Sequence, residues 1–217
     1  MTNFIPRLFS GILYIVIIFS SIVIGMKAFI AVFTIFTLIS TYEAYSLYKN
    51  VKSKGYNYNH PLIPPVYVLV SMVALIYIPF SGETLYNPFL ILFIFILIWI
   101  SDTMSYFFGS YFGRTKMKIK VSPNKTWEGF IGGFLCSVAF STLSFLYIQE
   151  IFLFWKTVSL GILIPIFGLF GDIYQSKIKR MAGVKDSGNI LPGHGGIFDR
   201  LDSAMGVSYI SLLITLI

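Results

Sequence analysis

Charged side chains and cysteine are scarce in this sequence of 217 residues. Charged residues make up 12% of the chain and hydrophobic residues 56%, whereas about a quarter of the residues in a soluble domain are charged. Together with a mean hydropathy of +0.81, this excludes an ordinary soluble domain and predicts a membrane protein. The one cysteine, Cys136, excludes an intrachain disulfide and a cysteine-ligated metal cluster. We interpret Cys136 as a small, packed apolar side chain.

Long polar segments and the common nucleotide-binding motifs are also missing. No polar block is long enough for a separate soluble domain, so we expect residues 1–217 to form one integral membrane domain. The chain has no G-x-x-x-x-G-K-[ST] motif, no kinase-type glycine loop and no nucleophilic triad. Its formal net charge of +7 is placed in loops, which favours an anionic lipid surface and no nucleic-acid partner.

Seven apolar stretches are long enough, or nearly so, to cross about 30 Å of hydrocarbon as helices. We therefore predict an all-α, polytopic transmembrane bundle of about seven spans, with the N-terminal spans over residues 8–80 and the catalytic spans and loops over 99–203. The first stretch has no A-x-A-like cleavage site, so we expect it to be retained. The seven stretches lie near residues 8–25, 27–48, 62–80, 85–111, 127–148, 152–175 and 201–217.

The basic residues favour one orientation of these spans. If the N-terminus is cytoplasmic, then of the 16 Lys and Arg residues only Lys27 and Lys156 fall on the outer side. This distribution agrees with the positive-inside rule. It puts the C-terminus outside and the main polar segments at the cytoplasmic face, where a nucleoside triphosphate is available.

The run from Ser176 to Ser203, SKIKRMAGVKDSGNILPGHGGIFDRLDS, concentrates charge and glycine in an otherwise apolar sequence. Charge held near lipid is costly and rarely lacks a task. Aspartate can hold a hard divalent cation, lysine and arginine can hold phosphates, and glycine lets backbone N–H groups approach anions. These residue types indicate phosphate chemistry.

The order of residues in this run, S-x-x-K-R-x4-K-D-x-G-x2-L-P-G-H-G-G-x-x-D-R-x-D, resembles the signature of the phosphatidate cytidylyltransferases, also called CDP-diglyceride synthases. The segments SPNKTWEGFIGG (122–133) and SDTMSYFFGSYFG (101–113) resemble two further blocks of that family. The resemblance covers the C-terminal half of the chain, from Trp99 onward. The N-terminal half matches in hydropathy only.

The resemblance implies a membrane nucleotidyltransferase that converts CTP and phosphatidate to CDP-diacylglycerol and pyrophosphate in phospholipid biosynthesis, with Mg²⁺ as cofactor. The expected location is a bacterial inner membrane; a second cation and a homodimer stay open. One alternative is a cytidylyltransferase or CTP-dependent kinase acting on another lipid. Others are a catalytically dead paralogue and a transporter with aspartates as its ion path. Clustering of the charges at one face disfavours the transporter.

Asp172 lies just before the charged run and Asp199 near its end. We expect the two to share a Mg²⁺ ion, which takes one or two protein carboxylates plus phosphate and water oxygens. The alternative is that they form structural salt bridges with Lys179, Arg180 or Arg200. Where this chain has Gln175, family members often have glutamate. The Gln175 carbonyl oxygen can still coordinate a cation, but it brings no charge.

Lys125 lies beside the predicted start of the fifth helix, where free N–H groups and the helix dipole favour a phosphate. The alternative is that Lys125 only sets topology. We expect Ser122 or Asn124 to cap this helix and Glu128 to suit its first turn. Gly129, Gly132 and Gly133 predict close helix packing.

The remaining candidates follow from the resemblance. Asp102 is expected to form a polar wall of the nucleotide pocket or to bind an outer metal, the alternative being an interfacial residue. PGHGG is expected to present backbone N–H groups to phosphate, with a direct contact from His194 left open. We assign catalysis to Asp172, Asp199, Lys125, Lys179, Arg180, Lys185, Asp186 and Arg200, and nucleotide binding to Asp102, Ser122, Lys125, Glu128, Gly195 and Gly196.

Overall fold

The protein is a bundle of α-helices. The computed structural model describes residues 4–53, 63–82, 85–149, 152–190 and 195–217, and these form seven α-helices and two short 3₁₀ helices without any strand. The predicted all-α architecture is therefore confirmed. The α-helices are α1 (Phe4–Ile24), α2 (Met26–Ser53), α3 (Ile63–Tyr77), α4 (Pro88–Tyr111), α5 (Trp127–Ile148), α6 (Phe154–Ala182) and α7 (Asp202–Leu216), and the 3₁₀ helices are Ile78–Phe80 and Phe198–Arg200.

The lengths and compositions of these helices are those of a membrane protein. Helices α2, α4, α5 and α6 are long and apolar enough to cross a bilayer, and shorter apolar helices cover Ser10–Ile24, Pro64–Phe80 and Asp202–Leu216. Large apolar side chains such as Leu143, Leu146 and Ile24 are exposed on the outside of the bundle. Such a surface suits lipid rather than water. The chain is an integral membrane protein.

Aromatic side chains fill the interior between the N-terminal helices and α4. Phe29, Phe33 and Phe95 are fully buried, with ring centroids 4.4 Å apart for Phe29 and Phe33 and 5.9 Å apart for Phe33 and Phe95. Phe198 is also fully buried. The short 3₁₀ helix near the end of the charged run is thus anchored in the interior by its first side chain.

Glycines let two pairs of helices approach closely. A side chain at Gly133 on α5 would overlap the Ser105 hydroxyl and the Ser101 carbonyl on α4. A Cβ atom at Gly171 on α6 would lie 2.5 Å from the carbonyl oxygen of Asp202 on α7. The close packing predicted for the glycine face of α5 is therefore confirmed. The contact at Gly171 holds the start of α7 against the polar end of α6.

Helix α6 is longer than predicted. The hydropathy pattern ended the sixth span at residue 175, but the helix runs to Ala182 because the polar residues that follow are adequate helix formers. It ends at Gly183, which has a left-handed backbone (φ 73°) and donates its N–H to the helix end. Lys179 therefore lies on the same helix as Asp172, two turns further along, and not in a loop as predicted.

The predicted cap of α5 is wrong. Ser122 and Asn124 lie in the preceding hairpin, which pairs Lys116 with Thr126, and the Thr126 Oγ1 accepts the N–H of Gly129 at 3.2 Å instead. Thr126 has the extended backbone of an N-cap residue, and such a cap is worth about 1 kcal/mol. Lys125 is therefore the residue directly before the cap residue, Thr126.

Candidate functional site

The polar side chains gather at one end of the bundle. Helices α2, α4 and α6 end there, and α5 and α7 begin there. Contacts between these ends join the helices: Lys125 to Asp172, Lys179 to Asp199, and Glu43 to Ser187. The charged segments of the sequence thus come together.

A cavity of about 730 Å³ opens among these helix ends, within the usual range for small-molecule sites. Part of its wall is apolar, with Met117, Phe130, Pro165 and Leu169. The charged part of its wall is formed by Asp102, Lys116, Lys125, Asp172, Asp199, Arg200 and Asp202. The cavity therefore offers both charges and an apolar surface to one ligand.

The structure brings six of the predicted site residues to this cavity. Ser122 joins Asp102, Lys125, Asp172, Asp199 and Arg200 in its lining. The other seven lie outside the lining. The predicted site residues outside the lining are Glu128, Lys179, Arg180, Lys185, Asp186, Gly195 and Gly196.

Lys125 and Asp172 form an ion pair across the cavity wall. The Lys125 ammonium contacts the Asp172 Oδ2, and the two side chains remain 26% and 29% exposed. The other oxygen, Oδ1, accepts the hydroxyl of Ser176 at 3.2 Å. Sequence reasoning offered Lys179, Arg180 or Arg200 as salt-bridge partners for Asp172, and the partner is Lys125 instead. Both members of the pair stay accessible to a ligand in the cavity.

Asp199 is buried and fully bonded within the protein. Its Oδ1 accepts Lys179 Nζ at 2.7 Å. Its Oδ2 accepts the Ser187 N–H at 2.7 Å, the Ser187 hydroxyl at 3.0 Å and the Gly196 N–H at 3.0 Å. Burial alone would raise the pKa of Asp199, but the hydrogen bonds from Lys179 and Gly196 outweigh it and hold the pKa below its usual range. The Lys179–Asp199 pair is one that the sequence left open.

This bonding bears on the predicted glycine turn. The Gly196 N–H is donated to Asp199, so in this structure it is not available to a phosphate. Gly195 has a left-handed backbone (φ 84°), and a Cβ atom there would lie 2.5 Å from the Asp199 Oδ2. His194 lies outside the described residues. The described part of the turn is packed around Asp199.

Besides the enclosed Asp199, three carboxylates line the cavity, each from a different helix. Asp102 is on α4, Asp172 on α6 and Asp202 at the start of α7. Within the described ranges, no group of three or more His, Cys, Asp or Glu side chains is arranged so that it could hold a metal ion. A cation here would take one or two carboxylates and complete its shell with ligand and water oxygens. Sharing of an ion by Asp172 and Asp199 stays a prediction, and Asp202 is a cavity carboxylate that our sequence-based site omitted.

Glu43 on α2 is the main residue that sequence reasoning missed. It is 3% exposed and accepts the N–H of Phe198 at 2.9 Å, the N–H of Ile197 at 3.3 Å and the Ser187 hydroxyl at 3.0 Å. A signal was present: like Asp102, Glu43 is a lone carboxylate in an apolar helix. The partners of Glu43 could not be predicted from the sequence, since more than a hundred residues separate them from it.

Two further side chains hold the same 3₁₀ helix. The amide of the fully buried Gln175 donates to the Phe198 carbonyl, and the Tyr14 hydroxyl on α1 donates to the Arg200 carbonyl at 2.9 Å. Gln175 thus has a structural contact and does not line the cavity. Helices α1, α2 and α6 together fix the backbone that leads into α7.

The remaining candidates lie at the surface of this end. Arg180 is exposed and donates to the Val184 carbonyl at 3.1 Å, while Lys185 and Asp186 are exposed. Glu128 accepts the N–H of Thr115 with both carboxylate oxygens, at 3.0 and 3.1 Å. Its contact fastens the hairpin to the first turn of α5, which is a structural role.

Comparison with known proteins gives a consistent result. A model of the cytidylyltransferase family matches residues 9–217 of the chain. The phosphatidate cytidylyltransferase of Staphylococcus saprophyticus is 45% identical over 117 residues, which are 54% of this chain and 45% of that protein. Those of Staphylococcus haemolyticus and Staphylococcus aureus are 46% and 44% identical with the same coverage. The matched region is thus about half of this chain and just under half, 45%, of each relative.

Proposed function

Because the chain belongs to the cytidylyltransferase family, we propose that it is an integral membrane enzyme that converts CTP and phosphatidate to CDP-diacylglycerol and pyrophosphate. The relatives named phosphatidate cytidylyltransferase support this pair of substrates. The observation that carries the proposal is that charged and apolar walls meet in one cavity. The phosphates of a nucleotide need the charged wall. A lipid phosphate needs the charged wall for its phosphate and the apolar wall for its acyl chains.

The chemistry asks little of a general base. A phosphate oxygen of phosphatidate, already an anion, attacks the α-phosphorus of CTP and forms the new P–O bond. The bond from that phosphorus to the oxygen bridging to the β-phosphate breaks, and pyrophosphate leaves with the electron pair. The difficulty is to bring two polyanions together and to stabilise charge on the phosphoryl oxygens.

Cations of the cavity supply part of that stabilisation. Lys125 and Arg200 line it, and the Arg200 Nε is buried without a hydrogen-bond partner among the described residues. A buried donor left open costs about 1–3 kcal/mol, which a phosphate oxygen would recover. Lys179 is already committed to Asp199, so its role is to hold that carboxylate.

The donor set fits Mg²⁺. Asp102, Asp172 and Asp202 provide carboxylates on one cavity, and Mg²⁺ is usually bound by one or two carboxylates plus substrate phosphates. When bound, the ion would neutralise charge on the nucleotide phosphates and their leaving group. Asp172 would hold it beside Lys125, which could then exchange its carboxylate contact for a phosphate contact.

The test uses purified protein in detergent with phosphatidate, Mg²⁺ and CTP labelled in either the α- or the γ-phosphate. Cytidylyl transfer moves the α-label into lipid and releases the γ-label as pyrophosphate. A lipid kinase would instead move the γ-label into lipid, and a dead paralogue would move neither. Lipid-borne γ-label, or no transfer at all, would overturn the proposal.

The orientation is also proposed. The cavity lies at the end of the bundle with most of the lysines and arginines, and by the positive-inside rule this supports a cytoplasmic side for it. Lys156 lies at the opposite end, where its ammonium donates to the Thr215 carbonyl at 3.3 Å. CTP would enter from the cytoplasm and the acyl chains would lie along the apolar wall.

A further inference from the structure

Glu43 is a buried carboxylate that the proposed reaction does not use directly. It lies on α2, does not line the cavity and has its two oxygens turned to the segment before α7. Burying a carboxylate costs several kcal/mol unless donors satisfy it. Here the N–H groups of Ile197 and Phe198 do so, together with the hydroxyl of Ser187, whose one proton is shared between Glu43 and Asp199. The Glu43 carboxylate is therefore satisfied largely by the segment before α7, residues 195–200.

The segment is held between two carboxylates. The Ser187 hydroxyl lies 3.0 Å from both the Glu43 Oε2 and the Asp199 Oδ2. A side chain at Gly196 would overlap the Glu43 carboxylate, and a Cβ atom at Gly188 would lie 2.6 Å from the Glu43 Oε1. Glu43 thus leaves no room for the glycines of the charged run to shift toward α2.

What Glu43 fixes leads directly to the cavity. Phe198 begins the 3₁₀ helix that ends at Arg200, and Asp202 begins α7 two residues later. Arg200 and Asp202 both line the cavity. A change in the position of the Phe198 peptide would displace these two charges relative to Lys125 and Asp172.

We propose that Glu43 is a positioning residue that sets the place of Arg200 and Asp202 in the cavity by binding the Ile197 and Phe198 N–H groups. The effect of Glu43 on substrate binding rests on the proposed function. The contact of Glu43 with the Ile197 and Phe198 N–H groups, which we call the tether, does not. The N-terminal half, which carries no motif, would thus supply a specific polar contact to the site.

Glu43→Gln is the main variant, with Thr37→Val as its matched control. Glutamine keeps the shape but has one acceptor oxygen, so its NH₂ group must face a donor that Glu43 now satisfies. Thr37 is also buried on α2, and its hydroxyl donates to the Phe33 carbonyl of the same helix at 2.7 Å. Thr37→Val therefore perturbs the same helix without touching the segment.

Two measurements on the purified, monodisperse proteins test the tether. In Glu43→Gln, amide hydrogen exchange over residues 195–200 should be at least tenfold faster than in wild type, with exchange in the middle of α6 unchanged. The KM for CTP should rise at least fivefold while the KM for phosphatidate changes less than twofold. A mere loss of folded protein would change neither KM. Thr37→Val should match wild type in both, and either measurement staying within twofold of wild type in Glu43→Gln overturns the proposal.

Ser187→Ala keeps the test valid if Glu43→Gln does not fold. It removes only the hydroxyl shared by the two carboxylates, and we expect a smaller rise, at least threefold, in exchange over residues 195–200. Exchange unchanged in Ser187→Ala would then count against the tether. If wild-type protein proves inactive toward CTP, the proposed function fails, but the exchange measurement still decides whether Glu43 holds this segment.

Discussion

Removing the positive charge at Lys125 tests whether this lysine binds a nucleotide phosphate or only sets topology. Its ammonium contacts Asp172 and stays 26% exposed on the cavity wall, beside the start of α5 where N–H groups and the helix dipole favour an anion. A hydrogen bond to a charged group is worth about 1.5–3 kcal/mol. At about 1.4 kcal/mol per factor of ten, Lys125→Met should lower kcat/KM for CTP roughly ten- to a hundredfold.

The matched control is Lys120→Met in the same hairpin. Lys120 is exposed and does not line the cavity, so its loss should lower kcat/KM less than threefold. Lys118 is a poorer control because its backbone is left-handed (φ 55°), and a substitution there changes the conformational preference of the hairpin. Both variants remove one positive charge from one loop, which cancels any effect on topology. Equal losses in the two variants would refute a phosphate contact at Lys125.

Three further predictions follow from the same geometry. Asp172→Asn should abolish turnover with little change in Tm, whereas Asp199→Asn should abolish turnover and also lower Tm by several degrees. Because the Asp199 pKa is lowered, its stabilising contribution is present above pH 3.8 and is lost as the pH falls below that value. Full activity of either variant across a Mg²⁺ titration would reject a role of that aspartate in the reaction. Gln175→Glu should lower Tm more than Gln175→Met, since it puts an acceptor against the Phe198 carbonyl; the reverse order would contradict the amide assignment. In a Cys136→Ser background, Lys52→Cys and Leu153→Cys should be labelled from opposite sides of the membrane, and labelling of both from one side would reject the orientation.

The helices could be predicted from the sequence because each is a long apolar run, and the run length sets the span. The errors occurred at the ends, where hydropathy gives no signal. Helix α6 continues through a polar segment to Ala182, and α5 is capped by Thr126 because the preceding residues are used by a hairpin. Both differences matter for the site. The observed end of α6 puts Lys179 on a helix, and the observed cap of α5 makes Lys125 the residue directly before it.

Apart from the pair of Lys179 and Asp199, which the sequence offered as an alternative, the partners of the charged residues could not be predicted. Hydropathy does not say which helices face each other, so the pairing of Lys125 with Asp172 and the contact from Glu43 to the Phe198 N–H appear only in the structure. Local motifs predicted that Asp172 and Asp199 matter. They did not distinguish a carboxylate that faces a cavity from one enclosed by donors.

That distinction separates two kinds of polar residue at this end of the bundle. Glu43 and Asp199 have their oxygens filled by N–H and hydroxyl donors of the protein, so a ligand gains little from them without breaking those bonds. Asp172 and Lys125 satisfy each other only in part and stay accessible, and the buried Arg200 Nε has no hydrogen-bond partner among the described residues. Substrate phosphates and a cation would complete the second group while leaving the first intact. Asp199 would then serve the reaction by holding Ser187 and Gly196 in place, and its asparagine variant should fail first in stability.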